Sequence, residues 1–371
     1  MTGQSSWFQR FLLPGFAFKA VVIGGGYATG RELAEFFVSV GPRGGLMAMA
    51  LSTVLFSLIC VVTFLFARMT HSKDYRVFFR NLVGPFWVLF EAAYVFSFIL
   101  ILAVYGAAAG AIGASMFGWP PLAGVLCLIA SIAAFTAFGN QSVEWLFKYA
   151  SYFLYAVYAV FVYFVLDRFG ERALQGFSVP AGSDGWVLAG ITYTNYNVFA
   201  AVVVLPVLRH LTSTRDAVIA GLLAGPLTMI AAVLFFVCMM AWYPAIGAEV
   251  LPADYMLRQL GLPLLHAAFQ IMIFMALLQS GVSAVHAINE RIAGYLAERR
   301  QSGFPPSARL ACTSILLVVA IFAAQQFGLV DLIAKGYRLL AWMILVTFVL
   351  PLLTIGVWQL AKRRSAVSAT S

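Results

Sequence analysis

The sequence contains few charged residues: Asp, Glu, Lys and Arg make up 10% of its 371 residues, whereas 63% are hydrophobic. A soluble domain carries about 25% charged residues, so this composition excludes a soluble globular protein. Apolar runs long enough to cross a bilayer recur along the whole chain, and no long polar block separates them. The sequence therefore predicts one polytopic transmembrane domain, residues 1–371, in contact with the lipid bilayer.

The sequence also lacks the patterns of enzymes and metal sites. Its four cysteines fall in different apolar segments without a C-x-x-C pair, and so they predict neither disulfides nor metal ligands. The H-E-x-x-H, G-x-S-x-G and Walker motifs do not occur. We therefore expect no enzyme activity, no catalytic residue and no cofactor. The net charge of +9 is explained by topology below, so it predicts no nucleic-acid partner.

A glycine-rich stretch interrupts the first apolar run, residues 11–40. Three consecutive glycines cost a helix roughly 1 kcal/mol each relative to alanine, and bilayer hydrocarbon tolerates unwound backbone only where protein or water surrounds it. The stretch therefore predicts a broken helix beside a solute-binding site. Close helix packing through Gly26 and Gly30 is the alternative, but it does not explain the adjacent Arg31 and Glu32. The predicted binding residues here are Gly24, Gly25, Gly26, Tyr27, Ala28, Thr29 and Gly30.

At about 20 residues a span, the chain predicts about ten transmembrane helices. The first five form one repeat, about 11–167, and the last five form a second, about 186–360. Because five is odd, the second repeat enters the membrane with the opposite orientation, as in inverted-repeat transporters. The predicted limits are 11–40, 45–67, 82–117, 121–138, 143–166, 186–208, 215–243, 263–297, 308–325 and 329–360.

Lys and Arg in the short loops predict the orientation. Most of the 23 basic residues fall on one side when the N-terminus is cytoplasmic, and this side is the cytoplasmic one by the positive-inside rule. Both termini are then cytoplasmic, and residues 168–185 lie outside.

The sixth span contains a second polar stretch, residues 192–197 (TYTNYN). Six polar or aromatic-polar residues at midspan predict another unwound segment, and a polar helix face that lines a bundle is the alternative. Breaks in the leading span of each half favour a transporter. The further predicted binding residues are Tyr105 in the third span and Tyr193, Thr194, Asn195 and Asn197 in the sixth.

Ionisable residues inside spans are functional candidates because they are costly there. Lys19 lies about one turn before the glycine break, and Lys148 lies in the fifth span. For Lys148 the alternative is an interfacial pair with Glu144. We hypothesise that the ammonium of Lys19 or Lys148, with Lys148 preferred, occupies the electrostatic role of Na+ and releases a proton during transport.

Three segments resemble the YkvI-like bacterial membrane proteins. Residues 23–32 (IGGGYATGRE) are similar to that family's GAGFATGQE signature, 193–197 to its break in the sixth helix, and 334–337 (AKGY) to its AKGY in the tenth. The resemblance covers nearly the whole chain, with Arg31 in place of the usual glutamine. The family resembles a branch of the LeuT-fold amino acid–polyamine–organocation superfamily.

The resemblance implies a five-plus-five inverted repeat with broken first and sixth helices. It places the solute between the first, third, sixth and eighth helices. It also implies a Na+ site formed by the carbonyls of Ala20 and Ile23 with Gln279 and Ser280. In proton-coupled relatives a lysine of the fifth helix occupies this position, which makes Lys148 the alternative, and Na+ and H+ both stay open as coupling ions.

We therefore expect a secondary active transporter of the bacterial cytoplasmic membrane. Its partner is a small polar organic solute, with an amino acid or related zwitterion preferred. A solute-binding sensor without sustained transport is the alternative. The sequence predicts neither the solute, nor the direction of transport, nor the oligomeric state.

Overall fold

A computed structural model of the chain describes residues 6–138, 140–300 and 306–368. Side chains are described at these positions except at 25, 137–138, 140–151, 290, 294–300, 306–307, 310 and 364–368. The described residues form helices and no strand, which confirms the all-α fold class.

The first half of the chain forms eight α-helices. A π-helical turn, Phe8–Leu12, precedes the first of them, and 3₁₀ turns lie at Val38–Val40 and Gly84–Phe86. The α-helices are α1 (Leu13–Val22), α2 (Gly25–Ala28), α3 (Arg31–Phe36), α4 (Gly41–Thr70), α5 (Tyr75–Val83), α6 (Trp87–Phe117), α7 (Pro121–Phe138) and α8 (Asn140–Ser178).

The second half forms eight more. 3₁₀ segments lie at Leu205–His210 and Ala245–Ala248, and π-helical turns lie at Leu332–Gly336, Leu345–Val349 and Leu352–Gly356. The α-helices are α9 (Trp186–Asn197), α10 (Ala200–Val203), α11 (Thr214–Met240), α12 (Pro252–Leu260), α13 (Pro263–Arg300), α14 (Pro306–Asp331), α15 (Tyr337–Ile344) and α16 (Val357–Ser368).

The helices agree with a polytopic membrane protein. Within the described residues, six helical runs are long and apolar enough to cross a membrane. Each of the predicted spans falls on helix: the first and sixth are interrupted, the fourth is a shorter apolar helix, and the ninth and tenth form one run. The six runs are Arg31–Thr70, Tyr75–Phe117, Tyr152–Ser178, Thr214–Met240, Pro263–Ala293 and Ala311–Arg363.

Small residues let the central helices approach closely. α4 packs along α11, and α1 packs against α11 from another side. Gly221 of α11 lies so near the α4 backbone that a Cβ there would come within 2.6 Å of the Val61 Cα atom. Gly190 of α9 is similar, since a Cβ would lie 2.8 Å from the Ala48 carbonyl oxygen. Glycine is therefore required at these crossings.

The predicted third span, 82–117, is wrong at its start. Gly84 has a φ of +59° and Pro85 follows it, so the chain turns there and a separate helix, α5, precedes α6. The Asp74 side chain caps α5 by accepting the Val77 N–H at 3.0 Å.

The predicted fifth span is too short. α8 continues to Ser178, so residues 168–178 are helical rather than part of a loop, because no proline occurs in α8 before Pro180. The Arg168 guanidinium donates to the Leu260 carbonyl at 2.8 Å and ties this extension to α12.

The orientation prediction can be tested at Ser183, which lies in the connection between α8 and α9. We expect the cysteine of a Ser183→Cys variant, made without the four native cysteines, to react with a membrane-impermeant maleimide added outside intact cells. The reason is the Lys/Arg asymmetry, which places this connection outside. Labelling only after access from the cytoplasmic side would overturn the orientation.

Candidate functional site

The first helix is broken at Ile23 and Gly24, as the glycines predicted. Ile23 leaves the helical region with φ −82° and ψ 79°, and Gly24 is extended with ψ −173°. The Gly24 N–H donates to the Val22 carbonyl at 3.0 Å and not to the Ala20 carbonyl four residues back. The end of α1 therefore presents a carbonyl with partial negative charge to the break.

A second interruption follows at Gly30, whose φ is +80°. A Cβ there would lie 2.8 Å from the ring of Phe235, so both conformation and space require glycine. The N–H groups of Ala28 and Gly30 donate to the carbonyls of Gly24 and Tyr27 at 3.3 and 2.9 Å. These two N–H groups therefore serve the helical turn of α2 and do not point to a solute.

A cavity of about 580 Å³ lies beside the first break. It is bounded by α1, α2, α6, α8, α10, α11 and α13. The structure brings the following predicted residues together on its wall: Lys19, Ala20, Ile23, Gly24, Tyr27, Ala28, Tyr105, Gln279 and Ser280.

The rest of the wall is largely aromatic. The Tyr105 hydroxyl lies directly against Gly24, where a Cβ would overlap it. The Tyr158 hydroxyl donates to the Ala231 carbonyl at 2.6 Å. Sequence analysis missed several lining residues, and the tyrosines at helical spacing in the fifth span were the available signal. The missed residues include Tyr155, Tyr158, Phe199, Phe235, Phe269 and Met272.

Lys19 is the only charged side chain among the described residues that line the cavity. Its ammonium lies 4.9 Å from the centroid of the Tyr155 ring, a cation–π distance. The side chain of the other predicted lysine, Lys148, lies outside the described residues, as does that of its partner Glu144.

The predicted polar residues of the sixth span do not line the cavity. Residues 192–197 are helical, and the interruption follows them at Val198 and Phe199. The predicted unwinding is therefore misplaced, because Thr194 and Asn197 donate to their own helix, to the carbonyls of Gly190 and Tyr193 at 2.8 and 3.0 Å.

These side chains are buried in the interior of the protein. The Tyr193 ring packs 4.7 Å from that of Phe37, and Asn195 is also buried. Of the glycine stretch, Gly26, Thr29 and Gly30 lie off the cavity wall as well. The Thr29 hydroxyl donates to the Gly26 carbonyl at 2.7 Å. The surroundings of Gly25 lie outside the described part of the structure.

Residues 245–260, which we call the lid, pack against the second interruption, where the Pro252 side chain lies next to Gly30. The Ala253 N–H donates to the Thr29 carbonyl at 3.0 Å. The Arg31 guanidinium donates to the carbonyls of Gly247 and Glu249 at 3.0 and 2.9 Å. The residues between the two breaks are therefore fastened to the lid.

A polar cluster fastens the other end of the lid. One carboxylate oxygen of Asp254 is 2.6 Å from both His266 Nε2 and Gln270 Nε2, and the other accepts from the Ser115 hydroxyl at 2.7 Å. Arg258 pairs with the same carboxylate at 2.9 Å. These contacts join the lid to the end of α6 and the start of α13.

The cavity extends away from the lid. Ser115 of α6 contacts the lid, whereas Tyr94, about six helical turns earlier in α6, lines the opposite end of the cavity together with Val203 and Ala287. At that end Arg291 pairs with Glu91 at 2.5 Å. The structure is therefore closed on the lid side of the first break.

The arrangement of the helices is shared with solved structures. The chain has the LeuT fold. A structure of MhsT in complex with L-phenylalanine matches with a TM-score of 0.58 and 19% identity, covering 92% of this chain and 88% of that chain. A Na+-coupled sialic acid symporter matches with a TM-score of 0.64 and 12% identity, covering 95% and 82%.

A manganese transporter of Eremococcus coleocola also matches, with a TM-score of 0.54 and 14% identity, covering 95% of this chain and 80% of that chain. No family model and no curated protein sequence matches the chain. The resemblance to YkvI-like proteins therefore stays a prediction, while the LeuT fold that it implied is confirmed.

Proposed function

We propose that the protein is a secondary active transporter of α-amino acids with a large apolar or aromatic side chain, driven by a cation gradient. The observation that carries this proposal is the cavity at the first-helix break. The cavity has an aromatic wall and one ammonium group, that of Lys19. It also has the Ala20 carbonyl, which does not accept the Gly24 N–H because of the break.

The chemistry of the cavity matches the three parts of such a solute. The Lys19 ammonium suits a carboxylate, and the carbonyl end of α1 suits an ammonium group. The rings of Phe199, Phe235 and Phe269 suit an apolar side chain. Support also comes from two solved structures of the same fold, one in complex with L-phenylalanine and the other of a Na+-coupled sialic acid symporter.

The neighbours are transporters, in agreement with the expectation that the chain is not an enzyme. For the coupling ion, the residues that the resemblance assigned to Na+ share one cavity wall: Ala20, Ile23, Gln279 and Ser280. With both termini cytoplasmic, the closed lid lies outside and the cavity extends toward the cytoplasm. We infer that this membrane is a bacterial cytoplasmic membrane.

Counterflow in proteoliposomes tests the proposal. Vesicles loaded with unlabelled L-phenylalanine should take up external labelled L-phenylalanine, because a transporter exchanges internal for external solute even without an ion gradient. Protein-free vesicles are the control. The alternative function, a sensor, predicts thermal stabilisation by L-phenylalanine, about 2.7 kcal/mol at 100 times the dissociation constant, without counterflow. That result would contradict transport.

A further inference from the structure

A buried carboxylate, Glu32, lies off the cavity wall and has no part in the site described above. It follows the second break on α3 and is 5% exposed. Its Oε2 accepts the Tyr196 hydroxyl of α9 at 2.7 Å, and Tyr337 of α15 is a second hydrogen-bond partner. Its Oε1 lies against Gly26, where a Cβ would overlap it. One carboxyl group thus joins α2 and α3 to α9 and α15.

Among the described residues, the nearby cations pair with a different acid. The guanidinium groups of Arg31 and Arg338 contact the two carboxylate oxygens of Glu35 at 3.0 and 2.9 Å. No ion pair of the described part involves Glu32. An ionised carboxylate that is buried without a cation is destabilising, and a carboxylate inside a membrane span is a functional candidate. Bound H+ removes this destabilisation.

The position of Glu32 links its charge to the lid. The adjacent residue Arg31 holds the lid carbonyls, and α3 contacts both α9 and the lid. With the carboxyl group neutral, the three helices can pack around it as described here. An ionised carboxylate requires water or a cation, and so it favours separation of α3 from α9 and α15, which loosens the lid.

We propose that Glu32 is the proton-binding group through which a proton gradient drives this transporter. This inference rests on the proposed function, and it names the coupling ion. The Glu32 carboxyl group binds H+ from the lid side while that side is open, the lid closes over the neutral group, and H+ leaves on the other side after the solute. The titratable and charged side chains around Glu32 are Tyr27, Arg31, Glu35, Tyr105, Tyr193, Tyr196, Tyr337 and Arg338.

The Glu32→Gln variant tests the inference, because glutamine keeps the shape and accepts the tyrosine hydrogen bonds but cannot bind or release H+. We expect an inward proton gradient to accumulate L-phenylalanine in wild-type proteoliposomes. In Glu32→Gln we expect accumulation to fall to the equilibration level while counterflow persists. Glu35→Gln is the matched control and should still accumulate solute.

Infrared difference spectra between acidic and alkaline buffer supply a readout that needs no transport. Wild-type protein should show a protonated-carboxyl band that disappears on the alkaline side, and Glu32→Gln should lack it. If counterflow fails in wild type but this band is present and assigned to Glu32, the proposed function fails and the protonation site stands. A band unchanged in Glu32→Gln would overturn the inference.

Two further experiments distinguish Glu32 from the other candidate coupling sites. Proton-driven accumulation that persists in Glu32→Gln but disappears in Lys148→Ala would overturn the role of Glu32 in favour of the lysine hypothesis. Accumulation driven by a Na+ gradient alone and unchanged in Glu32→Gln would overturn it in favour of the predicted site at Ala20, Ile23, Gln279 and Ser280.

Discussion

Replacing Gly24 with leucine should abolish the binding of L-phenylalanine while the protein still inserts and folds. Gly24 has a φ of −93°, which leucine adopts without strain, so the backbone tolerates the change. The new side chain would overlap the Tyr105 hydroxyl and fill the cavity beside the break. Leucine also favours a continuous helix more than glycine does, by roughly 1 kcal/mol.

Thermal unfolding of the purified variant, with and without L-phenylalanine, measures this effect. We expect a folded protein with a cooperative transition that the amino acid no longer shifts. The matched control is Gly170→Leu in α8, where a Cβ meets no atom within 4 Å, and this variant should bind normally. Wild-type affinity in Gly24→Leu would show that the break serves helix packing alone.

The break at Gly24 could be predicted because it depends on local energetics. Three glycines weaken a helix whatever surrounds them, and a polar cavity is what allows such a segment in a membrane. In the sixth predicted span, which contains α9, local polarity does not predict the break. Polarity at residues 192–197 does not unwind the helix, because Thr194 and Asn197 bond to carbonyls of their own helix.

The wall of the cavity could be predicted only in part. Lys19, Ala20 and Ile23 lie next to the break in sequence, so their place on the wall follows from the break itself. Tyr155 and Tyr158 reach the cavity because α8 packs beside α11 and α13. The helical spacing of these tyrosines marks one face of the helix, but it does not show which helices pack beside that face.

Glu32 was visible in the sequence only as a charge that close packing could not explain. Its partner Tyr196 lies 164 residues away, on the opposite repeat, and no local pattern joins the two. The same separation makes the contact informative, since a bond between the leading helices of the two repeats changes when these helices move. Long-range polar contacts of this kind cannot be predicted from the sequence of one chain.

Replacing Lys19 with methionine should raise the half-saturating concentration of L-phenylalanine about tenfold to about a hundredfold. A hydrogen bond to a charged group contributes about 1.5–3 kcal/mol, and each 1.4 kcal/mol is a factor of ten in affinity. Methionine keeps the length of the side chain and its contact with the Tyr155 ring but removes the charge. Initial rates of labelled L-phenylalanine counterflow measure the change.

The role of the Lys19 ammonium is separated from packing by probes that carry one charge each. 3-Phenylpropionate keeps the carboxylate, so its competition with L-phenylalanine should weaken in Lys19→Met as much as L-phenylalanine binding does. Phenethylamine keeps only the ammonium group and should compete equally well in both proteins. Lys19→Arg retains a cation and should stay within a few-fold of wild type. Equal losses for both probes would mean that Lys19 supports the cavity wall and does not bind the carboxylate, because a wall defect weakens every aromatic solute alike.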